Sequence, residues 1–347
     1  MPILIKPYLG CNLKCKYCYQ SEFKNRTEYD LDKVLKTVDT LYDKVKYSIT
    51  LHGGEPLCMG YDDVEKVLKH CVELSKKSSI QTNGSLIDER YIEMFKTYNT
   101  NVGVSLDGEN ELNDLRCDIE TTQKIYNNII LLRKNKIPTY VIITIHTHNA
   151  GTDDQLTRLK EFILKLDSMN IAGRINPNHS KYALDTERIR IVYTDLSRFM
   201  LENKLAMKWG IFSDIINSLR NMGNVVCSLK DCDIYNTNSA EVVLGDGMRS
   251  NCLRTEIMLR HPERLNTRTE ILADLEQDLG GCKGCKFFEF CNGGCPSNAR
   301  DWRVKDSYCA MYYTVFNYFS IVLETFGLTP QYAPKPFDVQ NPIPRGK

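Results

Sequence analysis

ILIKPYLGCNLKCKYCYQ, residues 3–20, begins with a short apolar run and passes directly into three cysteines. Ile3, Leu4 and Ile5 suit a buried strand. Cys11, Cys15 and Cys18 follow it as C-x3-C-x2-C, with Tyr17 between the last two. Three thiolates on one tight loop can hold three irons of a four-iron cluster and leave the fourth iron open. An open iron can bind a substrate or cofactor, whereas a cluster held by four cysteines can only pass electrons. The competing use of the thiols is a zinc knuckle. Zinc sites usually bring four ligands as two pairs, and no fourth Cys or His stands near this loop.

From residue 1 to about 220, β-rich apolar runs alternate with segments of period 3.6, the pattern of successive βα units around a parallel sheet. Strands are expected at 3–8, 47–51, 79–82, 101–106, 140–145 and 172–175. Helices are expected at 31–45, 62–76, 87–97, 121–135, 155–168 and 187–204. Catalytic loops of parallel α/β sheets follow the C-terminal ends of strands, so the cysteine loop stands where a reactive group belongs. Past residue 220 cysteine, glycine and short loops replace this rhythm. A helix from about 309 to 326 closes the region, and the Pro-rich residues 327–347 read as an extended strap or a disordered end.

The chain has 347 residues, enough for one large α/β core and a smaller module. Its 45 basic and 44 acidic residues leave a net charge of +1, so no overall field recruits nucleic acid or an anionic membrane. The sequence shows no run of eighteen apolar residues and no signal-peptide pattern, which leads to the expectation of a soluble, cytoplasmic protein. In a reducing compartment the fourteen cysteines read as metal ligands rather than disulfides. Three sit in the N-terminal loop, eight fall between Cys227 and Cys309, and Cys58, Cys71 and Cys117 are scattered.

The later cysteines have a spacing of their own. Cys232-x14-Gly247-x4-Cys252 is followed by Cys282-x2-Cys285-x5-Cys291-x3-Cys295 and, thirteen residues on, by Cys309; Cys227 adds an eighth thiol upstream. Spacing alone leaves both a pair of zinc ribbons and iron–sulfur clusters open.

The N-terminal loop resembles the signature of the radical SAM superfamily, and the later cysteines resemble its C-terminal SPASM extension. The relatives meant are the anaerobic sulfatase-maturating enzymes and the radical SAM peptide maturases. The resemblance implies a partial (βα)6 barrel over 1–220, a SPASM domain over 221–326 and a tail over 327–347. It implies three [4Fe-4S] clusters and S-adenosylmethionine. Cys11, Cys15 and Cys18 would hold the catalytic cluster, Cys227, Cys232, Cys252 and Cys295 an inner auxiliary cluster, and Cys282, Cys285, Cys291 and Cys309 an outer one. A free Cys227 would open an iron of the inner cluster and widen the chemistry to sulfur insertion.

The same resemblance points to a cofactor site. Gly53, Gly54 and Glu55, in LHGGEP after the second strand, match the motif that contacts the methionine amino group, where Glu55 would offer a carboxylate. Ser105, in VGVSLDG, and Arg116 would hold the carboxylate and ribose, Tyr17 would lie near the adenine, and a backbone contact is expected near Ala172. Asp107 and Asp246 read as turn acids. His146 and His148, alternating at the end of the fifth strand, would face one side together and line the barrel mouth. The aromatic residues 312–319 read as core packing.

In the sulfatase-maturating branch an Asp follows the inner-cluster cysteine of G-x4-C and takes the substrate proton; here that position is Leu253. The absent base ranks formylglycine formation below another peptide modification: a thioether or C–C crosslink, an oxidation or an epimerisation. The alternatives are a small-molecule dehydrogenase and a non-catalytic electron carrier or zinc scaffold. The expected partners are a peptide or protein substrate, a reductase, flavodoxin or ferredoxin as electron donor, and a separate leader-peptide-binding protein.

Overall fold

The computed structural model describes residues 3–45, 48–223, 225–229, 232, 241–250, 252, 268–299 and 303–328. Residues 329–347 of the expected Pro-rich tail and Leu253 lie outside them. The chain divides into two compact units, one of residues 1–184 with 240–258 and the other of 185–239 with 259–347.

In the first unit the six expected strands form as β1 (Ile3–Lys6), β2 (Ile49–Leu51), β3 (Ser78–Thr82), β4 (Thr100–Ser105), β5 (Thr139–Ile145) and β6 (Ala172–Pro177). They run parallel in the spatial order β6-β5-β4-β3-β2-β1. Right-handed βα crossovers produce this order when each strand adds beside the one before. Helices α1 (Leu31–Val45), α2 (Tyr61–Ser75), α3 (Glu89–Thr97), α4 (Ile119–Lys134) and α5 (Asp153–Ser168) fill the connections. In α1, Leu31, Val34, Leu35, Val38 and Leu41 are buried at helical spacing, giving one apolar stripe toward the sheet. Helix starts are set by caps: Asp88, Asp118 and Thr152 each accept a backbone N–H of the first turn, and Gln155 completes a capping box with Thr152.

Some elements depart from the sequence reading. After residue 220 no strand is legible, yet β8 (Glu241–Leu244) lies parallel to β1, with Ile3 opposite Glu241 and Lys6 opposite Leu244, and β9 (Arg249–Ser250) turns back antiparallel. All four β8 residues are buried. A four-residue run carries too little periodicity to announce itself, and the open edge of β1 decides its place.

In the second unit α6 (Thr186–Glu202) and α7 (Phe212–Leu219), flanking the two-residue strand β7 (Trp209–Gly210), precede α8 (Arg268–Leu275), α9 (Phe288–Cys291) and α10 (Cys309–Thr325). The aromatic crowd on α10 is core packing in part: Tyr312, Phe316 and Phe319 are buried and Phe287 stacks on Phe316 at 5.5 Å, whereas Tyr313 is exposed and Tyr318 half-buried.

Candidate active site and second cysteine centre

The cysteine loop leaves the C-terminal end of β1 and is held by backbone. Gly54 N–H donates to Tyr8 O (3.0 Å) and Glu55 N–H to Gly10 O (2.8 Å). A Cβ on Gly54 would stand 2.2 Å from Gly10 O and 2.3 Å from Leu9 O, and one on Gly53 2.3 Å from Tyr8 O. Only glycine permits so close a backbone approach. Gln20, with its amide oriented as its neighbours require, donates to Gly53 O (2.8 Å) and accepts from the buried Lys6 ammonium (2.6 Å). Both ends of the loop are thus tied to the glycine pair.

Cys11, Cys15 and Cys18 are half-buried on this loop. Leu13 N–H points at Cys11 Sγ (3.4 Å) and Asn83 Nδ2 lies 3.8 Å from it. Burial pushes the Cys11 thiol up to about 11, and burial raises Cys15 as well, against the pull of the Arg116 charge. Left alone these thiols stay protonated, and a bound metal supplies the charge that makes thiolates of them. Among the described residues no three His, Cys, Asp or Glu side chains gather on a single metal ion. A four-iron cluster asks instead for one thiolate on each of three separate irons, and the half-buried sulfurs with N–H donors turned to one of them fit that demand.

Glu55 turns inward. It is fully buried, and its carboxylate accepts from Leu57 N (3.1 Å), Thr82 Oγ1 (2.6 Å) and Asn83 N (2.6 Å). Burial pushes its pKa up to about 7 even though these three donors pull it down. Its visible work is to tie the end of β2 to the end of β3. Ser105, the last residue of β4, receives Gln81 Nε2 at 3.0 Å. Ala172 is the first residue of β6. Residues that follow parallel strands share one edge of the sheet and residues that begin them the other, so Ala172 stands away from the cysteine loop, and the expected backbone contact there is corrected.

Asp107, read from sequence as a turn acid, is the polar centre behind the loop. It is fully buried and lies 2.9 Å from Arg116 Nε, in ion-pair contact without the angle of a hydrogen bond. Tyr17 OH also donates to it, and Thr144 N–H reaches its other oxygen at 2.7 Å. Burial would raise its pKa, but the Arg116 guanidinium, with His146 and Tyr17, holds it below the usual carboxylate range. Arg116 also lies over the Tyr17 ring at 5.3 Å. His146 and His148 stay together as expected, their rings 6.2 Å apart edge to face, but they differ in exposure. His146 is fully buried with its ring 5.6 Å from Tyr17, while the partly exposed His148 meets Asp114 at 2.9 Å. In sequence Asp107 had no signal beyond S-L-D-G, and an aspartate before glycine is what a turn prefers.

In the second unit Cys282, Cys285, Cys291 and Cys309 line one cavity, walled by Phe287, Phe288, Tyr312, Tyr313 and Phe316 and edged by Lys305. The set expected to act together is brought together. The turn closed by Cys285 N–H on Cys282 O (3.0 Å) places the first pair, and Cys291 and Cys309 lie at the ends of α9 and α10. Burial and the neighbouring thiols raise Cys291 and Cys282, the latter to about 11. A second buried aspartate organises the turn: Asp306 accepts from Cys295 N (2.9 Å), Asn298 Nδ2 (3.0 Å) and Tyr308 N (2.8 Å). Of the other expected set, Cys227, Cys232 and Cys295 fall in the second unit and Cys252 in the first. Among the remaining thiols Cys71 is core on α2, and Cys117 meets the Asn113 amide at 3.4 Å.

Residues 5–163 match the model of the Radical SAM superfamily. The chain carries a radical SAM domain and is a radical SAM enzyme. Over 92% of its length it is 26% identical to 96% of the cysteine-type anaerobic sulfatase-maturating enzyme of Clostridium perfringens. The serine-type enzyme of Bacteroides thetaiotaomicron is 27% identical over 66% of this chain and 56% of its own. Among solved structures the fold is similar to anSMEcpe with bound AdoMet (TM-score 0.72, 22% identity, 94% of this chain and 98% of that one). It is also similar to Streptococcus suis SuiB bound to precursor peptide SuiA (TM-score 0.62, 16% identity, 89% and 75%). Among the described residues no helix is long and apolar enough to cross a membrane.

Proposed function

We propose that this enzyme matures a peptide or protein by abstracting hydrogen from one of its residues. The observation that carries the reading is the cavity lined by Cys282, Cys285, Cys291 and Cys309, a second thiol centre in a chain whose similarity to sulfatase-maturating enzymes spans both units. Cys11, Cys15 and Cys18 would hold a four-iron cluster that, once reduced and with S-adenosylmethionine bound, would supply a 5′-deoxyadenosyl radical. The chain's own residues set the geometry. Gly53 and Gly54 bring backbone against the loop, and Ser105, its lone pair engaged by Gln81, has its hydroxyl proton left to donate to a carboxylate. Two auxiliary clusters, on Cys227, Cys232, Cys252 and Cys295 and on Cys282, Cys285, Cys291 and Cys309, would each be saturated and suited to electron transfer, with a reductase, flavodoxin or ferredoxin as the electron donor.

The test is direct. Reduced, reconstituted enzyme with S-adenosylmethionine gives 5′-deoxyadenosine above a Cys15→Ala control, and about twelve irons per chain account for three clusters. A deuterated peptide substrate passes its label to 5′-deoxyadenosine. No 5′-deoxyadenosine above the control sinks the radical reading; a label arriving only from a small alcohol or sugar sinks the peptide reading.

A second reading, formylglycine formation on a sulfatase, is favoured by the 26% identity to the Clostridium perfringens enzyme along nearly the full chain. Against it stands the leucine after Cys252, where that branch keeps its base. Formation of an aldehyde on a cysteine-containing sulfatase peptide would decide for it.

A further inference from the structure

Behind the cysteine loop, one buried carboxylate oxygen collects more positive and donor character than a turn needs. Asp107 Oδ2 faces Tyr17 OH, Arg116 Nε at 2.9 Å and His146 Nε2 at 3.4 Å. His148 N–H donates to His146 Nδ1 (3.1 Å), which places the ring proton of a neutral His146 on Nε2, toward Asp107. The backbone repeats the connection. Lys16 N–H, next to Cys15, donates to Leu115 O (2.7 Å), next to Arg116. Asp107 N–H and carbonyl are held in turn by Asn113 Oδ1 (3.0 Å) and Asn149 Nδ2 (3.1 Å). Tyr17, touching both Arg116 and Asp107 and flanked in sequence by Lys16 and Cys18, transmits the arrangement to the loop.

We propose that Asp107 and Arg116 are positioning residues of the cluster loop: their buried ion pair locks Tyr17, and with it the Cys15 limb, to the β4–α4 connection and keeps the net charge beside Cys15 near zero. The proposal deepens the radical SAM reading and rests on it. A charge buried near a cluster moves its reduction potential, positive charge upward and negative charge downward.

The test is a redox titration of the holoenzyme followed by electron paramagnetic resonance, in which the signal altered by adding S-adenosylmethionine marks the three-cysteine cluster. Asp107→Asn leaves the guanidinium uncompensated, and the potential of that signal rises. Arg116→Gln leaves the carboxylate uncompensated, and the potential falls. The double variant returns toward wild type, because the two sites couple through one charge balance. Affinity for S-adenosylmethionine, read by equilibrium dialysis, changes less than threefold in Asp107→Asn. Tyr17→Phe, which keeps the ring and removes one donor, serves if the charge variants do not fold; it lowers the potential slightly and speeds iron loss to a chelator. Shifts of the same sign, or no shift in variants that retain the cluster, overturn the proposal. So does a tenfold loss of affinity in Arg116→Gln at unchanged potential, which assigns Arg116 to the cofactor. So, too, does a Tyr17→Phe enzyme whose potential and iron release match wild type. A wild-type enzyme with no signal that responds to S-adenosylmethionine overturns the parent reading instead.

Discussion

The two cysteine centres are built from the same thiol chemistry and opposite surroundings. Around Cys11, Cys15 and Cys18 the protein supplies glycine backbone, amides and a buried ion pair. Around Cys282, Cys285, Cys291 and Cys309 it supplies aromatic walls and one lysine. A centre that must exchange a polar ligand needs oriented donors and room for backbone contact; one that only passes electrons needs insulation and a tuned charge. Each is steadied by a buried aspartate, Asp107 in one and Asp306 in the other, whose acceptors are filled by the protein itself.

The sharpest way to break the contrast is to remove one thiol from each centre. Cys15→Ala is expected to abolish 5′-deoxyadenosine formation, read by chromatography against wild type, with loss of about four irons. Cys285→Ala is expected to lose a similar amount of iron yet still cleave S-adenosylmethionine, while product turnover collapses because the electron has no exit. If Cys285→Ala abolishes cleavage as well, the division into an active and a conducting centre falls.

A smaller effect probes the backbone cradle. Gly54→Ala forces a methyl group onto Gly10 O and Leu9 O, and overpacking of this kind costs about 1–3 kcal/mol. The variant should unfold at lower urea and bind less iron at the N-terminal cluster, with the outer cluster unchanged. An unshifted urea midpoint would mean that the approach relaxes freely. The smallest effect is expected at Lys305, which edges the aromatic cavity. Lys305→Gln should lower the reduction potential of the outer cluster without iron loss, and a potential that does not move would show its charge to be screened by solvent.

The parts legible in the chain were those with a period or a spacing. All six βα strands and their helices follow from apolar periodicity, as in α1, where the expected and observed residues 31–45 coincide. The resemblance carried by the later cysteines implied Cys282, Cys285, Cys291 and Cys309 as one set, and the fold gathers these four on one cavity. Single residues whose meaning depends on direction were not legible. Glu55 was expected to face a ligand and instead pins β2 to β3. Ala172 was expected near the loop and begins its strand at the far edge. His146 and His148 do adjoin, as expected, but the sequence did not tell that His146 would be fully buried and His148 partly exposed.

Sequence by itself thus determined the class of chemistry and the βα scaffold, because thiol spacing and hydrophobic period are local properties of the chain. Tertiary structure decided which carboxylates are structural, where β8 completes the sheet beside β1, and that Asp107 and Arg116 meet behind Cys15. Those outcomes depend on strand register and on the burial of charge among residues tens of positions apart, and a buried charge must find its partner wherever the fold puts one.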